Sequence, residues 1–178
     1  MHSILCISGS LRAASSSTAV VNTICRTLAD EAGFSRFDIG SLPHFNADLD
    51  PLPESATALK AAIAAADGVV IVTPEYNYSI PGVLKNAIDW ASRPGYASVF
   101  KDKPVFIATV SGGALGGVRA QAHLKNVLGA VLARTFVWQE VAIANANTKV
   151  KDDHLVNEAS EAFLLEALRA FLRSIDKL

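Results

Sequence analysis

Residues 68–90 read GVVIVT, PEYNYSIPG, VLKNAIDW. Every residue of Gly68–Thr73 after the glycine is β-branched, and none is charged. That composition belongs to a strand buried on both faces. Pro74 ends the run. Pro74 and Pro81 stiffen the loop that follows, and Gly82 permits unusual backbone angles there. Beyond it, Leu84, Ile88 and Trp90 lie along a helix-length segment reaching about Ser92. A fully apolar strand, a rigid polar loop and a helix make one repeat unit of a parallel α/β sheet.

The flanking sequence repeats the unit. Ile4 to Ser8 predicts a first strand, residues 18–32 a helix with Val20, Val21, Ile24 and Leu28 on one face, and residues 34–39 a short polar strand. A loop with Pro43, Pro51 and Pro53 leads to an Ala-rich helix near residues 55–66. Pro104–Val110 predicts a further strand, followed by a helix through Ala122, Leu124, Val127 and Leu128. Residues 135–143 predict the last strand, and residues 153–175 a C-terminal helix carrying Phe163, Leu164, Leu168, Phe171 and Leu172. The expected architecture is α/β, with five parallel strands between two layers of helices. With no repeat, low-complexity tract or long linker, residues 1–178 are expected to form one domain.

Composition narrows the function. The chain has 178 residues, 51% of them hydrophobic, enough for a sizeable core. A net charge of -1 gives no reason to expect nucleic acid or an anionic membrane as a partner. No run has the length of a membrane span or the form of a signal peptide, so a cytoplasmic location is expected. Cys6 and Cys25 form no CxxC pair and are read as two buried reduced thiols without a redox or metal role. His2, His123 and His154 lack metal-ligand spacing, so no metal is expected; His44, in a loop, suits either a place beside the site or a plain solvated surface position. Lys85 and Asp89 are four apart in helix register and suit a surface pair.

Ligands of such sheets bind beyond the carboxyl ends of the strands, where the strand order reverses. Three loops reach that edge. Residues 9–17 offer Ser10, Arg12, Ser15, Ser16 and Ser17 at a helix N-terminus, where phosphate meets backbone N–H groups. The same serines would also serve as a plain helix cap. The loop matches neither the nucleotide-triphosphate nor the dinucleotide fingerprint. Residues 74–82 offer Tyr76, Asn77 and Tyr78, suited to a flat heteroaromatic ring with polar edges, or else to a rigid surface turn. Residues 111–117 hold four glycines, which allow close backbone approach to a ligand.

Gly9-Ser10-Leu11-Arg12 with Ser15, and the unbroken run from Pro74 to Trp90, resemble the signatures of NAD(P)H-dependent FMN reductases with a flavodoxin-like fold, a group that includes quinone, azo-dye and chromate reductases. The resemblance implies a flavodoxin-like three-layer sandwich with FMN as cofactor and NADPH or NADH as co-substrate. It implies that Ser10, Arg12, Ser15 and Ser17 hold the FMN phosphate. Pro74, Glu75, Tyr76 and Asn77 would line the isoalloxazine, with Ser111, Gly112 and Gly113 near its other edge. Ser17 stands where many members carry Asn. No catalytic side chain is implied, because the flavin carries the hydride.

The expected activity is hydride transfer to FMN, then two-electron reduction of quinones, flavins, azo compounds or metal oxyanions, with ping-pong kinetics. The alternatives are a flavodoxin-type one-electron carrier and a non-catalytic flavin-binding module. The chain is expected to form a homodimer or homotetramer, with Trp90, Tyr96 and Phe100 as candidate anchors.

Overall fold

The structure, a computed structural model, describes residues 1–176. In chain order the elements are β1 (Ser3–Ser8), α1 (Ser16–Thr27), β2 (Gly33–Phe37), α2 (Glu54–Ala65), β3 (Gly68–Thr73), α3 (Gly82–Ala91), β4 (Pro104–Val110), α4 (Val118–Ala130), β5 (Arg134–Thr135), β6 (Val141–Ile143), β7 (Val150–Lys151), β8 (His154–Leu155) and α5 (Glu158–Ile175). The main sheet is parallel with order β2-β1-β3-β4-β5, and β6 continues beside β4 in the fifth position.

Strand alternation divides the core in two. Ile4, Cys6, Val70, Val72 and Phe106 face α1 and α5, meeting Val20, Ile24, Leu168 and Phe171. Leu5, Ile7, Val69, Ile71 and Val105 face the other way, onto Leu59, Ile63, Leu84, Ile88, Leu124 and Leu128 of α2, α3 and α4. All six residues of β3 are buried, as its composition demands. From β1 the chain steps out to β2 and returns past β1 to β3, so the strand order reverses between β1 and β3. That reversal fixes where a ligand cleft can form.

Several expectations are corrected in detail. Helix α1 begins at Ser16, because Ser15 caps it, and ends at Thr27 rather than near residue 32. The expected last strand is broken: the Phe136 N–H still donates to the Val105 carbonyl, its ring packing on Phe106 and Phe171 with centroids 6.3 and 5.6 Å away, but residues 137–140 leave the ladder, which resumes only at Val141. Helix α5 begins at Glu158, capped by Asn157, and not at Asp153. Asp152 and Asp153 instead form the left-handed turn of the β7–β8 hairpin, a conformation that aspartate tolerates. Gly82 opens α3 with no positive φ, so its freedom is not used. Cys25 is only half-buried.

Candidate functional site

The ends of β1 and β3 are held against each other at Gly9. Its N–H donates to the Val72 carbonyl at 2.8 Å. A Cβ on Gly9 would lie 2.3 Å from Thr73 Oγ1, so only glycine fits there. The loop then turns into α1 through a chain of hydroxyls. Ser15 Oγ accepts from the Thr18 N–H at 3.3 Å and lies 2.8 Å from Ser17 Oγ. Ser8 Oγ donates to Ser17 Oγ at 3.3 Å and lies 3.0 Å from Thr18 Oγ1. Ser15 and Ser17 are therefore buried with partners inside the protein. Ser10 Oγ accepts from the Arg12 N–H at 3.3 Å. The Arg12 side chain is exposed and makes no ion pair among the described residues. The first N–H groups of α1, at Ser16 and Ser17, have no turn behind them to accept their hydrogen bonds.

The second loop is a tight turn. Tyr76 and Ser79 exchange backbone hydrogen bonds of 2.9 and 3.0 Å, with φ 51° at Asn77 and 65° at Tyr78. Two successive left-handed residues other than glycine store strain, which persists only because the surroundings impose it. Those surroundings are α4. Glu75 Oε2 accepts from the Arg119 and Ala120 N–H groups at 3.0 and 3.1 Å, satisfying the start of that helix. The Arg119 guanidinium sits 4.3 Å from the centre of the Tyr78 ring. His123 Nδ1 lies 3.0 Å from Ser79 Oγ. Tyr76 and Asn77 stay exposed, Pro74 is half-buried, and the Tyr76 hydroxyl reaches 3.5 Å from Ser10 Oγ across the gap between the two loops.

The third loop is zipped to the segment after β6. Ser111 N–H donates to the Ile143 carbonyl at 3.0 Å, Asn145 N–H to Gly113 at 3.1 Å, and Ala146 N–H to Ser111 at 3.0 Å. Gly116 and Gly117 have φ 62° and 88°, and a Cβ on Gly116 would strike Ala142 at 2.7 Å. Gly112 and Gly113 are exposed, Gly112 beside Asn147 and Gly113 beside the Ser111 hydroxyl. Phe45 N–H donates to Asn86 Oδ1, and Pro43 O accepts from Asn86 Nδ2 and Trp90 Nε1, anchoring the loop that carries His44.

The three sequence-predicted loops thus share one edge, and Ser10, Arg12, Pro74, Tyr76, Asn77, Ser111, Gly112 and Gly113 all lie on it. Glu75 is on the same edge, but its carboxylate is engaged by α4. Sequence reasoning missed Arg119, His123 and the Asn145–Asn147 stretch. The signals were Gly116-Gly117 directly before a helix and the polar run after the final apolar strand.

The NADPH-dependent FMN reductase family matches residues 2–148. The chain belongs to that family. A 2-hydroxy-1,4-benzoquinone reductase of a Burkholderia species is 47% identical over 125 residues, 70% of this chain and 68% of the relative. An NAD(P)H-dependent FMN reductase of Pseudomonas aeruginosa is 36% identical over 170 residues, 94% of this chain and 91% of that protein. FerB, a flavoenzyme NAD(P)H:(acceptor) oxidoreductase from Paracoccus denitrificans, matches in structure with a TM-score of 0.90 at 36% identity, covering 99% of this chain and 98% of that one. As an FMN reductase, the protein is an oxidoreductase with a flavodoxin-like fold that uses FMN and NAD(P)H and acts on small-molecule acceptors. No helix of the described residues is long and apolar enough to cross a membrane.

Proposed function

We propose that the β1–α1 loop holds the FMN phosphate and that the loops after β3 and β4 hold the ring. The donor set fits. The phosphate end has the Ser10 hydroxyl, the Arg12 guanidinium and the N–H groups of Ser16 and Ser17, all suited to a dianion. Ser15 and Ser17 support that end from beneath, by fixing the start of α1. Pro74, Glu75, Tyr76 and Asn77 form one wall of the ring site, with Glu75 acting through α4 as a positioning residue. Ser111, Gly112 and Gly113 form the other wall. Bound there, FMN supplies hydride acceptance from NAD(P)H and two-electron delivery to an acceptor. The protein's residues would bind and orient it, and the exposed Tyr76, Asn77, Gly112 and Gly113 leave this edge open to small molecules. The observation that carries this reading is the Gly9–Thr73 contact. It joins the phosphate loop and the ring loop at the strand reversal, within one ligand's length.

The acceptor we infer is a quinone, which the benzoquinone-reducing relative supports. Free flavins, azo compounds and metal oxyanions are further candidates of the same redox class. Nicotinamide and acceptor would use this one open edge in turn, so initial-rate lines should stay parallel as the quinone is varied. The test is NADPH oxidation by the FMN-loaded protein with 1,4-benzoquinone. Quinone-dependent turnover is expected. Electron delivery to cytochrome c alone, with none to quinone, would establish the one-electron carrier instead.

We infer further that residues 1–178 form one FMN-binding unit and that copies associate as a homodimer or homotetramer. The anchors change: Trp90 and Phe100 are each 1% exposed and belong to the core, whereas Tyr96 is 78% exposed. Tyr96 borders a cavity of about 320 Å³ between α3 and α4 that suits an interface. Two free thiols accord with a cytoplasmic location.

A further inference from the structure

Cys6 of β1 and Cys25 of α1 lie between those two elements, beneath the loop that joins them. Cys6 is in register with Arg36 of β2, so both side chains project onto the face that α1 covers. Arg36 Nη1 donates to Asn22 Oδ1, and Asn22 lies one turn before Cys25 on the same side of α1. Cys25 packs against the buried cluster that contains Cys6, on the side of α1 that faces Arg36. Hydrogen bonding from the Cys6 thiol, helped by Arg36 and opposed by burial, brings the Cys25 thiol down to about 6. The same contact, with burial, pushes Cys6 up, so it keeps its proton. Cys6 is 1% exposed, and Cys25 is half-buried and reachable from the helix surface. A cleft of about 190 Å³ beside Ser10 and Leu11 reaches Cys6, Val21 and Arg36 but not Cys25, so the peroxide approach is from the half-buried side of Cys25.

We propose that Cys25 is a peroxide-reactive modification site and that Cys6 resolves it into an intramolecular disulfide. The Cys25 thiolate attacks one oxygen of hydrogen peroxide and breaks the O–O bond. The departing hydroxide takes a proton from solvent, leaving water and a Cys25 sulfenic acid. The Cys6 sulfur then attacks the Cys25 sulfur, and the hydroxyl leaves with the Cys6 proton as a second water. Two thiols lose two electrons, and peroxide gains them. The bond would tie together both flanks of residues 7–24, the segment that contains the hydroxyl-lined loop.

The test treats the FMN-loaded protein with equimolar hydrogen peroxide, blocks remaining thiols with N-ethylmaleimide, and maps tryptic peptides without reduction. Cleavage at Arg12 and Arg26 separates the cysteines, so the expected product is peptide 1–12 joined to peptide 13–26. In Cys6→Ser the reaction should stop at a Cys25 sulfenic acid, captured by dimedone. Cys25→Ser should give neither product and keep the wild-type rate of quinone reduction. Recovery of both cysteines as maleimide adducts after peroxide would overturn the proposal in the wild-type protein alone, whatever the variants do. Dimedone capture at Cys6 instead of Cys25, or disulfides only between chains, would also overturn it.

Discussion

The two ends of the site, the one proposed for phosphate and the one proposed for the ring, are built in different ways. The phosphate end continues from buried strands, and its serines satisfy one another inside the protein. The ring end is exposed. It is held from outside, by Glu75 and Ser79 reaching to α4 and by the segment after β6 reaching to Ser111 and Gly113. One end is rigid because the core is rigid, and the other is rigid because side chains tie it down. Substitutions at the first end should therefore damage stability or cofactor affinity, depending on whether the residue packs or faces out. Substitutions at the second should act gradually, through position.

The largest effect is expected for Gly9→Ala. A methyl group 2.3 Å from Thr73 Oγ1 forces β1 and β3 apart at the strand reversal. Overpacking of this kind costs about 1–3 kcal/mol, so the urea midpoint should fall and FMN affinity with it. Unchanged stability would show that the junction yields freely.

Arg12→Ala separates binding from folding. Its guanidinium is exposed and has no ion-pair partner among the described residues, so the melting curve should not move. Loss of a charge-assisted hydrogen bond to phosphate is worth about 1.5–3 kcal/mol, which weakens FMN at least tenfold.

Glu75→Ala should cost about 1 kcal/mol of stability, because two N–H groups at the start of α4 lose their acceptor. Glu75→Gln should recover part of it. The KM for quinone should rise more than kcat falls, as expected for a wall out of place; a loss of kcat alone would assign Glu75 a direct part in the chemistry.

The smallest effect is expected for Lys85→Ala. The Lys85–Asp89 pair, 2.7 Å apart, is an exposed i,i+4 contact worth about 0.3–0.5 kcal/mol. A larger loss, appearing only at high protein concentration, would place this face in the subunit interface.

What was legible in the sequence follows the same division. β3 and β4 were readable to the residue, because burial on both faces leaves an unbroken β-branched or apolar run. The β1–α1 loop and its helix cap were readable because glycine and serine before a helix have local meanings. The break between β5 and β6 was not readable. Val137 and Trp138 look like strand residues, yet the ladder stops after the Phe136 N–H meets the Val105 carbonyl and resumes only at Val141. The role of Glu75 was hidden as well. Its partners are the N–H groups of Arg119 and Ala120, and sequence distance conceals that contact. The pairing of Cys6 with Cys25 needed the register of β1 with β2 and the facing turn of α1.

The central claim is that FMN is held with its phosphate on the β1–α1 loop. A titration of FMN fluorescence against wild-type and Arg12→Ala protein tests it most directly. The account predicts that both proteins melt at the same temperature, that wild type quenches FMN with saturation, and that Arg12→Ala needs at least ten times more protein for half-quenching. Identical binding curves for the two proteins would contradict it.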